Sequence, residues 1–250
     1  MSQASEAPVP TIAVTGSTGR LGGRVARRLA GRGVPQKLLA RNPERAPRLP
    51  GATAVRSAYA DQGAVRDALV GTRTVFMVSA SESADRLAQH KAFVDAAAEA
   101  GVRHVVYVSF YGAAPDATFT LARDHFHTEQ HIRASGLAYT FLRDNFYAEF
   151  VPDLVGEDGV IRGPAGHGRA AFVGQDDIAD AAASVLSRPD DHAGLAYDLT
   201  GPESLTLLDA WVSTYTAIAS GELDGVSDAV PRLTDHPATP LADVVRATGS

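Results

Sequence analysis

Short apolar runs alternate with longer helical patterns along the first 150 residues. "TIAVT" (11–15), "QKLLA" (36–40), "ATAVR" (52–56), "TVFMVS" (74–79), "HVVYVS" (104–109) and "AYTFLR" (138–143) carry the short, apolar composition of buried strands. Between them, "GRLGGRVARRLAGRG", "DQGAVRDALVG" and "ESADRLAQHKAFVDAAAEAG" space apolar residues at helical intervals, with Asp61 and Ser83 near two of the starts and glycine at the ends. Strand–helix alternation of this kind implies right-handed crossovers. It predicts an α/β fold: a Rossmann-like parallel sheet with helices on both faces.

The rhythm changes after residue 150. "DGVIRGPAGHGRAAFVGQDDIADAAASVLSRPDD" reads as two short strands and a helix entered at Asp176 or Asp177, with an N-cap role for one of these. "AYDLTG" reads as a further strand, and the chain from Ser204 onward as helices and loops. The expected organisation is a flexible tail over 1–10, a Rossmann-like domain over 11–150 and a small C-terminal lobe over 151–250, partly interleaved with it. Such a lobe belongs on the carboxyl edge of the sheet, where open α/β folds bind ligands.

Composition narrows the possibilities. Hydrophobic residues at 45% and charged ones at 21% predict a sizeable core, and a net charge of −6 argues against nucleic-acid binding. Cysteine is absent, which excludes disulfides, thiolate nucleophiles and cysteine metal sites. Only Lys37 and Lys91 are available as lysines. "MSQASEAPVP" has neither the basic start nor the apolar centre of a signal peptide, and no run is apolar for ~18 residues, so a soluble cytoplasmic protein is expected.

Gly16, Gly19 and Gly22 form G-x-x-G-x-x-G between a strand and a helix, the context in which glycines admit a dinucleotide pyrophosphate to a helix N-terminus. Where an NAD site offers an acid after the second strand, "LLARNP" places Arg41, and no carboxylate follows until Glu44. A guanidinium suits a 2′-phosphate, so NADP(H) is the expected cofactor, with Arg20 able to help. The plain alternative for Arg41 is a solvated loop residue.

"VTGSTGRLGGRVARRL", "ARNPERA", "YADQGAVRDALVG", "HKAFVDAAAEAGVRHVVYVSF" and "AYTFLRDNFYAEF" together resemble the NmrA-like group of atypical short-chain dehydrogenase/reductases, with the nearest resemblance to its NADPH-dependent quinone oxidoreductases and triphenylmethane reductases. The resemblance runs over roughly 11–200 and implies NADP(H) binding on a Rossmann-like fold. By position it implies that Gly16, Ser17, Thr18, Gly19, Arg20 and Leu21 hold the pyrophosphate, and that Arg41 and Asn42 hold the 2′-phosphate side. Tyr59 and Asp61 would sit near the adenine, and Ser79 and Ala80 under the ribose. Ser109, Phe110 and Tyr111, with Asn145, Phe146 and Tyr147, would border the nicotinamide; Tyr111 is a catalytic candidate and Phe146 and Tyr147 substrate-binding ones.

Most short-chain dehydrogenases activate a tyrosine with a lysine four residues on. Here the residues four places after Tyr59, Tyr107, Tyr111, Tyr139, Tyr147, Tyr197 and Tyr215 are Gly63, Tyr111, Pro115, Arg143, Val151, Gly201 and Ala219. Tyr139 and Arg143 fall in a predicted strand and so form no helical pair. In "FTLARDHFHTEQHIRASG", His125 stands where some relatives carry the lysine, and Glu129, four residues on, shares its helix face and is placed to orient the imidazole. An imidazole with a pKa near neutral would donate a proton or bind a substrate oxygen; an ordinary helix histidine is the alternative. His127 and His131 are also four apart, but "HTEQH" is not H-E-x-x-H and no third ligand accompanies it, so no metal is expected. Phe141, Phe146, Tyr147 and Phe150 read as part core, part pocket wall.

The C-terminal lobe departs from the resemblance: Leu208 is followed almost at once by Trp211, so a stretch of relatives' substrate lobe looks absent, leaving the pocket open, reshaped or completed by a second subunit in a homodimer. The expected function is NADPH-dependent hydride transfer to a quinone or similar conjugated electrophile, a small-molecule substrate, without nucleic-acid or membrane partners. The alternatives are a non-catalytic NADP(H)-sensing regulator and a specialised biosynthetic reductase or isomerase.

Overall fold

Successive residues of the central strands separate into two packed layers. In β1 (Ile12–Val14), Ile12 and Val14 join one apolar cluster and Ala13 the other. In β4 (Thr74–Met77), Phe76 packs on the first side, and Val75 and Met77 on the second. This is the period-two alternation of a strand whose faces are both covered, and it explains why the strands read as continuous apolar runs rather than alternating ones.

The computed structural model describes residues 11–154, 168–206, 218 and 220–248. Within them, β1, β2 (Gln36–Ala40), β3 (Ala52–Arg56), β4, β5 (His104–Phe110) and β6 (Ala138–Asp144) precede the two-residue β7 (Arg169–Ala170), then β8 (Leu195–Leu199) and β9 (Leu205–Thr206). Seven strands form one parallel sheet in the order β3-β2-β1-β4-β5-β6-β8, while β7 and β9 pair antiparallel beside it. Helices α1 (Arg20–Gly31) and α5 (Gln175–Ser187) cover one face; α2 (Gln62–Leu69), α3 (Arg86–Glu99) and α4 (Thr120–Ala134) cover the other. The predicted α/β Rossmann-like architecture is the one observed. Tyr139 and Arg143 lie on β6, as their strand pattern predicted.

Helix α5 begins differently from the expectation. Its N-cap is Gly174, and the carboxylate of Glu149 accepts the Gln175 N–H at 2.9 and 3.2 Å. Asp176 and Asp177 stand inside the first turn, where the helix dipole still favours acids. Their carboxylates serve other partners: Asp176 meets Arg24 and Arg28 of α1 at 3.2 and 2.9 Å, and Asp177 accepts the Thr239 N–H and hydroxyl at 2.5 and 2.7 Å. Likewise α3 starts at Arg86, with Ser83 donating to Asp85 at 2.7 Å ahead of it.

Of the remaining described residues, the short helix Ala229–Leu233 packs with α5 and β8 on the α1 face of the sheet, and the helix Leu241–Thr248 packs against the cluster of Phe110, Phe146 and Phe172. The expected tail over 1–10, the stretch 155–167 and the segment around Leu208 and Trp211 lie outside the described residues. The chain after β8 crosses the chain after β7 at Gly201, where a Cβ would fall 2.0 Å from the Phe172 carbonyl oxygen. Gly201→Ala must push that backbone apart, at an expected cost of about 1–3 kcal/mol. Each kcal/mol lowers the melting midpoint by roughly 2–4 °C for a domain of this size; an unchanged midpoint in thermal unfolding would show that the contact yields freely.

Candidate functional site

The sheet order reverses at β1 and β4, because β1 leads outward to β2 and β3 while β4 leads the other way. Crossovers that depart in opposite directions leave a crevice at the carboxyl ends of these strands. Gly16 turns the chain there with a φ of +60°, and the Gly19 N–H closes the turn on the Gly16 carbonyl at 2.9 Å. A Cβ on Gly22 would stand 2.4 Å from the Gly16 oxygen and 2.6 Å from the Thr15 oxygen, so only hydrogen fits between α1 and the turn. Helix α1 carries no side-chain cap and no acid in its first turn, which leaves its N–H groups and positive dipole end open to an anion.

Tyr59 braces this turn from below. Its hydroxyl donates to the Val78 carbonyl at 2.5 Å and lies 2.6 Å from Thr15 Oγ1, which accepts the Val78 N–H at 2.8 Å. Burial pushes the phenol's pKa upward, so it stays a donor.

A cleft of about 870 Å³ runs from the glycine turn to an aromatic end. Of the residues expected at a site, Gly16, Thr18, Gly19, Arg20, Leu21, Arg41, Tyr59, Ser79, Ala80, Phe110, His125, Asn145, Phe146 and Tyr147 border it. Five others are not among its lining. Ser17 is buried with its hydroxyl toward the Leu39 carbonyl, Asn42 accepts the Glu44 N–H, and Asp61 caps α2 through the Ala64 N–H. Ser109 donates to Glu129 at 2.7 Å, and the Tyr111 hydroxyl is hydrogen-bonded to the backbone of Gly225. Each of the five thus has a side-chain bond within the fold.

Phe110, Phe119 and Phe146 form the aromatic end, with ring centroids 5.0, 5.2 and 5.7 Å apart. Behind them lies a polar network that no sequence motif announces. Arg86 is 3% exposed; its Nε donates to the Ala80 carbonyl and its Nη2 to His125 Nε2, each at 2.9 Å. A guanidinium only donates, so His125 Nε2 is the acceptor and Nδ1 carries the hydrogen toward Tyr107 Oη, 2.9 Å away. His90 repeats the arrangement: Nε2 accepts the Ala80 N–H at 2.8 Å, and Nδ1 faces Thr128 Oγ1 at 2.9 Å.

Burial, then the Arg86 charge, lowers the His90 pKa to about 3, and the same two causes with His90 added drive His125 well below the usual imidazole range. His125 therefore borders the cleft as a neutral imidazole, and the near-neutral titration expected for it is displaced by burial and then by the guanidinium at its side. Nor does Glu129 orient it. Glu129 is held instead by Ser109 and, through two bonds of 2.8 and 2.6 Å, by Arg143 of β6.

One further group borders the aromatic end. Asp144 closes β6, is 3% exposed, and accepts a hydrogen bond from Tyr147 Oη at 2.6 Å. Burial pushes its pKa up to about 8. The available sequence signals were slight: Arg86 and His90 stand one turn apart on α3, and Asp144 ends an apolar strand. Elsewhere, His131 pairs with Asp95 at 2.7 Å and His127 meets Phe126 edge-on, so the two histidines have separate surroundings. Among the described residues no helix is long and apolar enough to cross a membrane.

Comparison with known proteins agrees with this geometry. Residues 16–189 match the model of a family described as NAD(P)H-binding. Quinone oxidoreductase 2 of Escherichia coli is 36% identical over 204 residues, which span 78% of this chain and 70% of that protein. The NADPH complex of the E. coli quinone oxidoreductase QOR2 superposes with a TM-score of 0.86 at 29% identity, over 96% of this chain and 100% of the other. The Citrobacter sp. triphenylmethane reductase complexed with NADP(H) gives 0.84 at 27% identity, over 95% and 99%. The chain belongs to this NAD(P)H-binding family, as an NAD(P)H-dependent oxidoreductase.

Proposed function

We propose that the chain reduces quinones and similarly conjugated electrophiles with NADPH. The observation that carries this reading is a single cleft joining the open N-terminus of α1 to the aromatic end at Phe110, Phe119 and Phe146. The names of the E. coli and Citrobacter relatives point to the same acceptor classes, quinones and dyes.

The residues present suit the cofactor. The space that a Cβ on Gly22 would fill brings α1 against the turn, so the backbone N–H groups of Arg20 and Leu21 at the start of α1 are available for a pyrophosphate. Arg41, exposed where β2 ends on the rim, is placed for a 2′-phosphate, with Asn42 shaping the turn behind it. Ser79, Ala80 and Tyr59 border the stretch between, and Asn145, Phe146 and Tyr147 the far end. NADPH, when bound, supplies the hydride. Phe110, Phe119 and Phe146 give a flat acceptor an apolar surface to stack on and keep water from the reacting face. His125 and Arg86 hold the floor of that end as a rigid, satisfied network. In this reading residues 11–150 bind the cofactor, and a small lobe over 151–250 completes the acceptor side.

Three measurements test it. Purified protein should oxidise NADPH in the presence of at least one member of a panel of quinones and triphenylmethane or azo dyes; silence across the panel sinks the reading. Arg41→Glu should raise the KM for NADPH by roughly 10- to 100-fold, the loss of a charge-assisted contact of about 1.5–3 kcal/mol. The KM for NADH should move far less, and equal effects on both would remove Arg41 from the 2′-phosphate. Because His125 is neutral throughout, His125→Gln should lower kcat/KM without altering its pH profile between about 6 and 8, the span around the ordinary imidazole value. A limb near the ordinary imidazole pKa that disappears in the variant would restore His125 as an acid.

A further inference from the structure

We propose that Asp144 is the proton donor of the reduction, delivering its carboxyl hydrogen to the acceptor oxygen as hydride arrives from the bound cofactor. This inference rests on the reductase reading above. Asp144 closes β6 beside Phe110 in the strand register, two residues before Phe146, and borders the cleft with both. The Tyr111 N–H, bonded to the Asp144 carbonyl at 2.9 Å, fixes the backbone there.

The surroundings keep this carboxyl uncharged. Arg143, its neighbour on the strand, projects to the opposite face and is occupied by Glu129. Tyr147 is its hydrogen-bond donor. The other charged or titratable groups bordering the cleft are Arg20 from α1, which stands over the Phe150 ring, Arg41 after β2, Tyr59, Glu82, Arg86 from α3 and His125 from α4, with Glu149 after β6 acting on Tyr147. Arg86 is taken by Ala80 and His125, and Glu149 by the Gln175 N–H, and no ion pair to Asp144 occurs among the described residues. A buried carboxyl without a cation holds its proton near neutral pH, which is the condition for donating it.

Its rivals at this end are weaker proton donors. The Tyr147 hydroxyl is pushed well above its ordinary pKa by burial and then by Asp144. The imidazole of His125 is neutral, with Nε2 facing a guanidinium that does not release protons. The step balances for a quinone. Hydride brings two electrons and one hydrogen to the acceptor and leaves an oxyanion. The Asp144 O–H bond breaks as a new O–H bond forms at that oxygen, giving the hydroquinone. The resulting Asp144 carboxylate regains a proton from solvent.

The test uses the full chain with NADPH and a quinone that it reduces. Asp144→Asn keeps the size and polarity of the side chain but removes the proton. It should lower kcat by about 10²-fold or more, leave the NADPH dissociation constant within about threefold (under 1 kcal/mol by), and abolish the fall in rate expected above pH 8 in the wild type. Tyr147→Phe, which removes a bond favouring the carboxylate, should move that fall to higher pH. Independently of turnover, infrared spectra of the wild type at pH 7 should contain a protonated-carboxyl stretch that is lost at pH 10 and absent from Asp144→Asn. If Asp144→Asn keeps the wild-type rate and alkaline limb, or if the carboxyl stretch is missing at pH 7, the donor assignment is overturned while the reductase reading stands. If the wild type reduces nothing in the panel, both fall together.

Discussion

The contact between the first turn of α1 and the backbone of the glycine turn is the constraint on which the site depends. Thr15 and Gly16 present carbonyl oxygens so close to Gly22 that any side chain there would overlap them. Because hydrogen alone fits, the helix begins over the end of β1 rather than beside it, and its unpaired N–H groups face the crevice between β1 and β4. Tyr59 and Thr15 lock the two strands at that height by sharing the Val78 peptide. The anion-binding head of the cleft is therefore a property of backbone packing, insensitive to most side chains around it.

The far end of the cleft is governed by one buried cation. Placing Arg86 out of water is costly unless its donors are used, and Ala80, His125 and, at 3.4 Å, Asp124 use them. Burial, and then that charge beside His125 and near His90, makes protonation of either imidazole unfavourable, so the network settles with both rings neutral and each nitrogen partnered. Such a network is rigid, and it sets the floor against which Phe110 packs, 6.1 Å from the His125 ring.

The sequence and the structure agree where backbone periodicity or glycine sterics decide the outcome. The parallel strands, the covering helices, the roles of Gly16 and Gly22 in the turn, and the position of Arg41 all follow from local patterns that the packing had no reason to override. Agreement ends where an outcome depends on which distant side chain arrives first. Spacing on α4 pairs His125 with Glu129, yet Arg143 reaches Glu129 from β6 and Arg86 reaches His125 from α3. Asp176 and Asp177 have the composition of an N-cap, yet Glu149 arrives from a different segment to satisfy the Gln175 N–H. The Tyr111 hydroxyl is likewise claimed by the backbone of Gly225, more than a hundred residues further along. Each of these exchanges is a long-range competition for a hydrogen bond, and no window of sequence contains both competitors.

The same competition explains where an acid can reside in this cleft. A tyrosine acidified by a neighbouring lysine needs a cation on the helix that carries it, but here the cation stands on α3 and its field falls on the α4 histidine as repulsion. A charged acid on α4 is thereby excluded. A neutral acid is not, provided it sits where burial outweighs attraction to any cation. The end of β6 meets that condition: Arg143 is turned to the other face by strand alternation, Arg86 is saturated by its own partners, and the rings of Phe110 and Phe146 exclude water. Moving the positive charge to α3 thus removes the proton source from the helix and, by the same physics of desolvation, leaves the strand end as the place where a carboxyl keeps its hydrogen.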